Sequence, residues 1–260
     1  MTLRRNIALV LLFGLLAGCA HAPVVPQRLP LLEPSEEDSR RLKEQAKAEE
    51  ARQREAARVA RERDARRTER EQEEAQRAFL EKVAQRVWSF VGARRVIVDG
   101  RRFRKDCSGL VQASLHAAGA LDLAEELQAT SHIDRYCREN GSYHTDTPVP
   151  GDLVLFEETY DRNRNRRLDD GITHVGVVVE VKADATVVFV HVGSGTIKTG
   201  RMNLLHPDVH RLRSPGRVVN SFLRVKRRWD VKGTRYLAGQ LFRGFCRVTL
   251  EPKEGAPDVD

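Results

Sequence analysis

A chain of 260 residues holds one or two domains, and its 45 Lys and Arg against 37 Asp and Glu leave a formal net charge of +8. Much of the N-terminal third lacks the apolar density of a globular core. The basic balance points to anionic partners; for a chain that is exported these are expected to be cell-wall polymers or lipid head groups and not nucleic acid.

Met1–Asn6 is a short basic head followed by an apolar run, Ile7 to Leu16, too short to span a bilayer as a helix. It ends in Leu16-Ala17-Gly18-Cys19, which resembles the lipobox of bacterial lipoproteins. The resemblance implies cleavage before Cys19, removal of residues 1–18 with Arg4 and Arg5, and lipidation of Cys19. Several acyl chains on one cysteine anchor stably where a single chain binds marginally. Ala20 after Cys19 resembles the outer-membrane sorting pattern, so the periplasmic face of the outer membrane is the expected location.

Residues 19–35 carry four prolines and no periodicity and are expected to form an extended tether. From 36 to 78 the composition turns to Glu, Arg, Lys, Gln and Ala, with Leu42 and Val59 as the large apolar residues before Phe79. That leaves no heptad seam. Glu-to-Arg pairs four residues apart, such as Glu37–Arg41 and Glu50–Arg54, favour a solvated single helix, a spacer of about 60 Å at ~1.5 Å per residue.

Phe79, Leu80, Val83, Val87, Trp88 and Val91 form an amphipathic helix face, and a domain over residues 79–230 is expected to start there. Arg95–Val98 is strand-like and ends in the turn pair Asp99-Gly100. Next comes Asp106-Cys107-Ser108-Gly109, opening a helix to about Gly119 on which Leu110, Val111, Ser114, Leu115 and Ala118 recur at helical spacing. Asp106 or Ser108 is placed to cap it. A thiol at a helix N-terminus feels the positive end of the dipole, which favours the thiolate.

Residues 120–150 read as loop-rich. Three apolar strands follow, 152–156, 173–181 and 186–192, with shorter candidates at 196–201 and 221–225. Helices followed by consecutive antiparallel strands make an α+β pattern. Residues 231–260 are expected as a C-terminal extension. Of the four cysteines, Cys137 and Cys246 are left over; an oxidising periplasm would allow them to pair, and two unpaired thiols is the default expectation.

His174 and His191 lie on successive strands, each followed by Val and Gly. A cysteine, a base and a group that orients the base are what thiol acyl transfer requires. The ordered blocks Asp106-Cys107-Ser108-Gly109, Gly151-Asp152-Leu-Val-Leu-Phe156, His174-Val-Gly-Val and His191 resemble the NlpC-type cell-wall cysteine peptidases and their CHAP amidase relatives. The resemblance covers residues 79–205. It implies a papain-like α+β fold and hydrolysis of an amide in the peptide part of peptidoglycan, with Cys107 as nucleophile, His174 as base and His191 orienting it. The Cys107 N–H would be an oxyanion donor, with Asp106 and Ser108 holding the loop beside the oxyanion and substrate. No metal or cofactor is required.

The stretch Val98–Lys105 carries Phe103 and lacks the tyrosine that family members often have just before the cysteine motif. Either Tyr136, Tyr143 or Tyr160 reaches in from a loop, or that donor is missing, which admits a second reading: a peptidoglycan-binding scaffold with the same fold and little turnover. Between Phe156 and His174, Asp161 to Asp170 spaces oxygen side chains as a calcium loop does. Arg166 stands where such a loop needs Gly, and Ile172 where it needs Glu, so a polar loop beside the active site is expected.

Overall fold

The computed structural model describes residues 35–140, 142–214 and 216–250. The lipobox around Cys19 and residues 20–34 of the tether lie outside them. The chain divides between Arg61 and Glu62 into two units.

Helix α1 (Glu36–Ser89) begins in the first unit. The Ser35 hydroxyl accepts from the Asp38 N–H at 3.1 Å and donates to its carboxylate at 2.6 Å, which caps the start. Leu42 and Val59 are exposed, consistent with the missing apolar seam. The Glu50–Arg54 and Glu55–Arg58 pairs each contribute ~0.2–0.5 kcal/mol. One helix spans both the expected spacer and the expected first helix of the domain, because no Gly or Pro interrupts residues 36–91.

In the second unit the end of α1 buries Phe79, Leu80, Val83, Ala84 and Val87. A hairpin follows, β1 (Val96–Val98) and β2 (Arg101–Phe103), turning at Asp99 and Gly100, both with positive φ. Helix α2 (Cys107–Ala118) comes next and closes at Gly119, in the left-handed region at φ 98°. The stretch expected as loops holds α3 (Leu121–Glu126), α4 (Thr130–Glu139) and β3 (Tyr143–His144). Burial of Ala124, Leu127, Ile133 and Tyr136 holds these short helices, and so few turns leave little periodic signal in sequence.

Strands β4 (Leu153–Glu157), β5 (Ile172–Val181), β6 (Thr186–Gly193) and β7 (Thr196–Asn203) run antiparallel in chain order. After α5 (Ala238–Leu241), β8 (Phe242–Cys246) inserts between β3 and β4, giving the sheet order β3-β8-β4-β5-β6-β7. The protein is therefore mixed α+β, with a long N-terminal helix and an antiparallel sheet. Among the described residues no helix is long and apolar enough to cross a membrane.

Alternation along β4 divides the core. Leu153 and Leu155 pack with Val175, Val177 and the helices; Val154 and Phe156 pack with Phe189, Met202 and Leu241 on the other face. Asp152 is fully buried at the head of β4 and accepts two hydrogen bonds from Arg247 at 2.9 Å and one from the Val149 N–H at 2.8 Å. Gly151, at φ 97°, has no room for a side chain, since a Cβ would overlap the Leu80 carbonyl of α1.

The stretch expected as a C-terminal extension contributes β8, an interior strand. Two expectations are corrected here. The 221–225 segment forms a single bridge, Phe222 to Leu237, instead of a strand. Cys137 and Cys246 are joined in a disulfide. Pairing of β8 with β3 sets Cys246 opposite Tyr143, just beyond the helix that carries Cys137. The sequence cannot display that adjacency, since the two cysteines lie 109 residues apart. A loop of that length confines the unfolded chain enough to stabilise by about 4 kcal/mol. Reduction, or Cys246→Ser, is expected to lower Tm by about 10 °C in scanning calorimetry; an unchanged Tm would show that the bridge carries no stability.

Candidate active site

The site begins with the cap of α2. Asp106 Oδ1 accepts from the Gly109 N–H at 2.7 Å and from the Ser108 hydroxyl at 3.1 Å, so Asp106 is the capping residue. Arg104 braces the same turn through Ser108 Oγ at 3.2 Å and Asp106 Oδ2 at 3.4 Å. Gly109 is required sterically, because a Cβ there would overlap the Arg104 carbonyl. The backbone N–H groups of Cys107, Ser108 and Val175 approach the Cys107 sulfur, and each favours its negative form. Val175 directly follows His174 on β5, so the start of α2 abuts the start of that strand.

The two imidazoles are brought together by sheet register. Val177 pairs with Val190, which puts Gly176 opposite His191 and leaves His174 on the diagonal. Diagonal partners lie within reach of long side chains. His174 Nε2 and His191 Nδ1 are 2.9 Å apart, with the rings edge-on at 83°. Phe156 flanks His174 and Phe189 flanks His191, so both rings stand on an aromatic face. With Nε2 engaged, Nδ1 is the His174 nitrogen left for an incoming proton. Lys198, cross-strand from His191, folds over Gly193, where a Cβ would overlap its Cε.

Cys107, His174 and His191 all line one cleft of about 1070 Å³. Its walls come from the 159–166 loop and residues 222–229, and Arg166 stacks over Trp229 at 5.8 Å. Among the described residues no hydrogen bond joins Cys107 Sγ to either ring. Asp106 lines the cleft; Ser108 is buried and does not. Of the three candidate tyrosines, Tyr160 lines the cleft, and its charge would interact with that of Cys107. Tyr143 instead donates to the Arg243 carbonyl, and Tyr136 is buried near Thr249. Sequence left Tyr160 one of three alternatives, and no local signal singles out Tyr160, Lys198 or Trp229.

The 161–170 loop spends its acceptors on itself. Asp161 accepts from the Asn165 and Arg166 N–H groups, Asp170 from those of Arg162 and Asn163, and Asp169 from the Asn163 and Asn165 amides. It is a self-bonded wall of the cleft.

The thiol and both rings rest uncharged. Burial pushes the Cys107 thiol up, assisted by the Asp106 carboxylate and opposed by the three N–H groups. The thiolate expected from the helix dipole is not the resting form. Burial lowers His174 to about 4; burial, the charge of His174 and Lys198 lower His191 to about 3.

No family model, curated protein or solved structure matches the chain.

Both rings are expected to stay neutral from pH 7.5 down to 5 in an NMR titration of their Cε1 protons; a midpoint near 6.5 for either would contradict this. Because the folded values lie below the unfolded value of about 6.5, the unfolded chain takes up protons first. Stability contributed by the pair is therefore present above pH ~6.5 and is lost as pH falls towards 4. Thermal melts across that window should show Tm declining, with a shallower decline in His191→Gln.

Proposed function

We propose that the protein is a lipid-anchored cysteine hydrolase of the NlpC type that cleaves an amide bond in peptidoglycan peptides. The observation that carries this reading is the convergence of Cys107, His174 and His191 on one cleft, with the two rings 2.9 Å apart. A cysteine at the N-terminus of a helix packed on an antiparallel sheet, with histidines on adjacent strands, supports a papain-like arrangement of the second unit. The anchor at Cys19 and the outer-membrane location belong to the same proposal and rest on the sequence alone.

With thiol and imidazole both neutral at rest, the first step is general-base catalysis. Cys107 Sγ attacks the amide carbonyl while its proton passes to His174 Nδ1. This step needs sulfur and nitrogen within hydrogen-bond reach, a distance that often closes only when substrate is bound. The imidazolium then donates through Nε2–H to His191 Nδ1, which requires the His191 proton on Nε2. Charge on the former carbonyl oxygen meets the Cys107 N–H, with Tyr160 placed on the same cleft to donate from the side. His174 Nδ1–H protonates the leaving amine as the carbon–nitrogen bond breaks, leaving a thioester. Water, deprotonated by His174, attacks the thioester carbonyl; the carbon–sulfur bond breaks and the thiol recovers its proton.

Purified wall fragments incubated with the wild type should release peptides detectable by mass spectrometry, and Cys107→Ala should release none. Equal product from both would remove Cys107 from the mechanism and favour a binding scaffold. Since neutral His174 is the base, kcat/KM is expected to hold from pH 7 down to about 4 and fall below it, measured where circular dichroism shows folded protein. An acid limb near 6.5 would contradict the assignment. Tyr160→Phe is expected to lower kcat by about tenfold with little change in KM if its hydroxyl serves the oxyanion.

A further inference from the structure

A second concavity, of about 320 Å³, lies beside the cleft and is lined by Arg94, Arg95, Val96, Arg102, Phe103, Arg104 and Lys105. It holds five cations and no carboxylate. Arg104 is committed to Asp106, Ser108 and the Gln128 carbonyl. Arg94, Arg95, Arg102 and Lys105 have no carboxylate partner among the described residues. Their neighbour Arg101, on the same hairpin, is by contrast paired with Glu125. The groove floor is firm, because Val96 and Phe103 are both buried and pair across the hairpin. Clustering four unpaired cations costs self-repulsion, which an anionic ligand would relieve.

The groove is not separate from the cleft. Lys105 lines both, one residue before Asp106 and two before the nucleophile. The same sign of charge continues inside, where Lys198, Arg164 and Arg227 line the walls. The two carboxylates there, Asp106 and Asp161, are already hydrogen-bonded to the cap of α2 and to the 161–166 turn.

We propose that the groove of Arg94, Arg95 and Arg102, joined to the cleft through Lys105, is an outer subsite for an acidic peptide, holding carboxylates of a substrate whose reacting amide lies at Cys107. The assignment rests on the proposed amide hydrolysis for the choice of a peptide. Concavity and continuity with the cleft favour a chain that threads inward over a flat lipid surface, which touches rims and cannot follow a groove into a cleft.

The test uses the full chain with Cys107→Ala, so that binding is read without turnover. Fluorescence anisotropy with a labelled oligo-L-glutamate should show saturable binding that weakens as salt rises from 50 to 500 mM, while oligo-L-glutamine should not bind. Adding Arg94→Gln, Arg95→Gln and Arg102→Gln together should weaken oligo-glutamate binding by about tenfold, with circular dichroism and Tm unchanged. Lys43→Gln, Lys47→Gln and Arg52→Gln on exposed α1 serve as the charge-matched control and should leave it unchanged. Equal affinity in the groove variant and its parent would overturn the subsite, as would equal weakening in the α1 control. Phosphatidylglycerol vesicles form the second arm: loss of vesicle binding with peptide binding intact in the groove variant would assign these arginines to a lipid surface and overturn the proposal. Failure of wild-type protein to cleave wall peptides, with the groove effect present, would remove the hydrolase reading and leave an acidic-peptide site standing.

Discussion

The arrangement of the cleft depends on the hydrogen bond between two uncharged rings, His174 Nε2 and His191 Nδ1. The bond engages one nitrogen of each ring, and which ring donates follows from the tautomer. The bond needs a proton on one of the two facing nitrogens and a bare lone pair on the other, and burial of both rings beside Phe156 and Phe189 disfavours a second proton on either. Sheet register makes the bond possible. Gly176 opposite His191 contributes no side chain between the rings, and a Cβ there would press on Phe189 at 2.8 Å.

Around the cysteine two opposing effects meet, and their balance decides the resting state. The helix N-terminus and three N–H groups favour the thiolate, while burial and the adjacent Asp106 disfavour it. Burial is the larger influence, so the thiol keeps its proton at rest. In the proposed hydrolysis the same N–H groups would act on charge that appears during reaction instead of charge already present, which is where such donors accelerate a step. Asp106 thus serves two ends. Capping Gly109 N–H holds the start of α2 in place, and its charge disfavours ionisation of Cys107.

The scaffold delivers these groups through a few steric and covalent commitments. Gly109 lets the Arg104 backbone lie against the first turn of α2, and Gly151 lets the head of β4 lie against α1. Asp152 ties that head to Arg247, just past β8, and the Cys137–Cys246 bridge ties β8 to α4. Residues late in the chain therefore close the same sheet whose middle strands carry the histidines. Removing β8 would part β3 from β4 and leave β4 as an edge strand.

Sequence by itself determined the elements whose cause is local. The long charged helix, the cysteine helix from Cys107 with a cap from Asp106 or Ser108, and the strands bearing His174 and His191 follow from composition, capping chemistry and apolar runs that operate over neighbouring residues. Tertiary structure alone decided what depends on distant pairing and burial. Insertion of β8 beside β4, the joining of Cys137 to Cys246, the selection of Tyr160 from three tyrosines, and the uncharged state of the thiol and both rings are of this kind. The physical reason is common to all four: desolvation, and contact across many tens of residues, exist only once the chain has folded back upon itself.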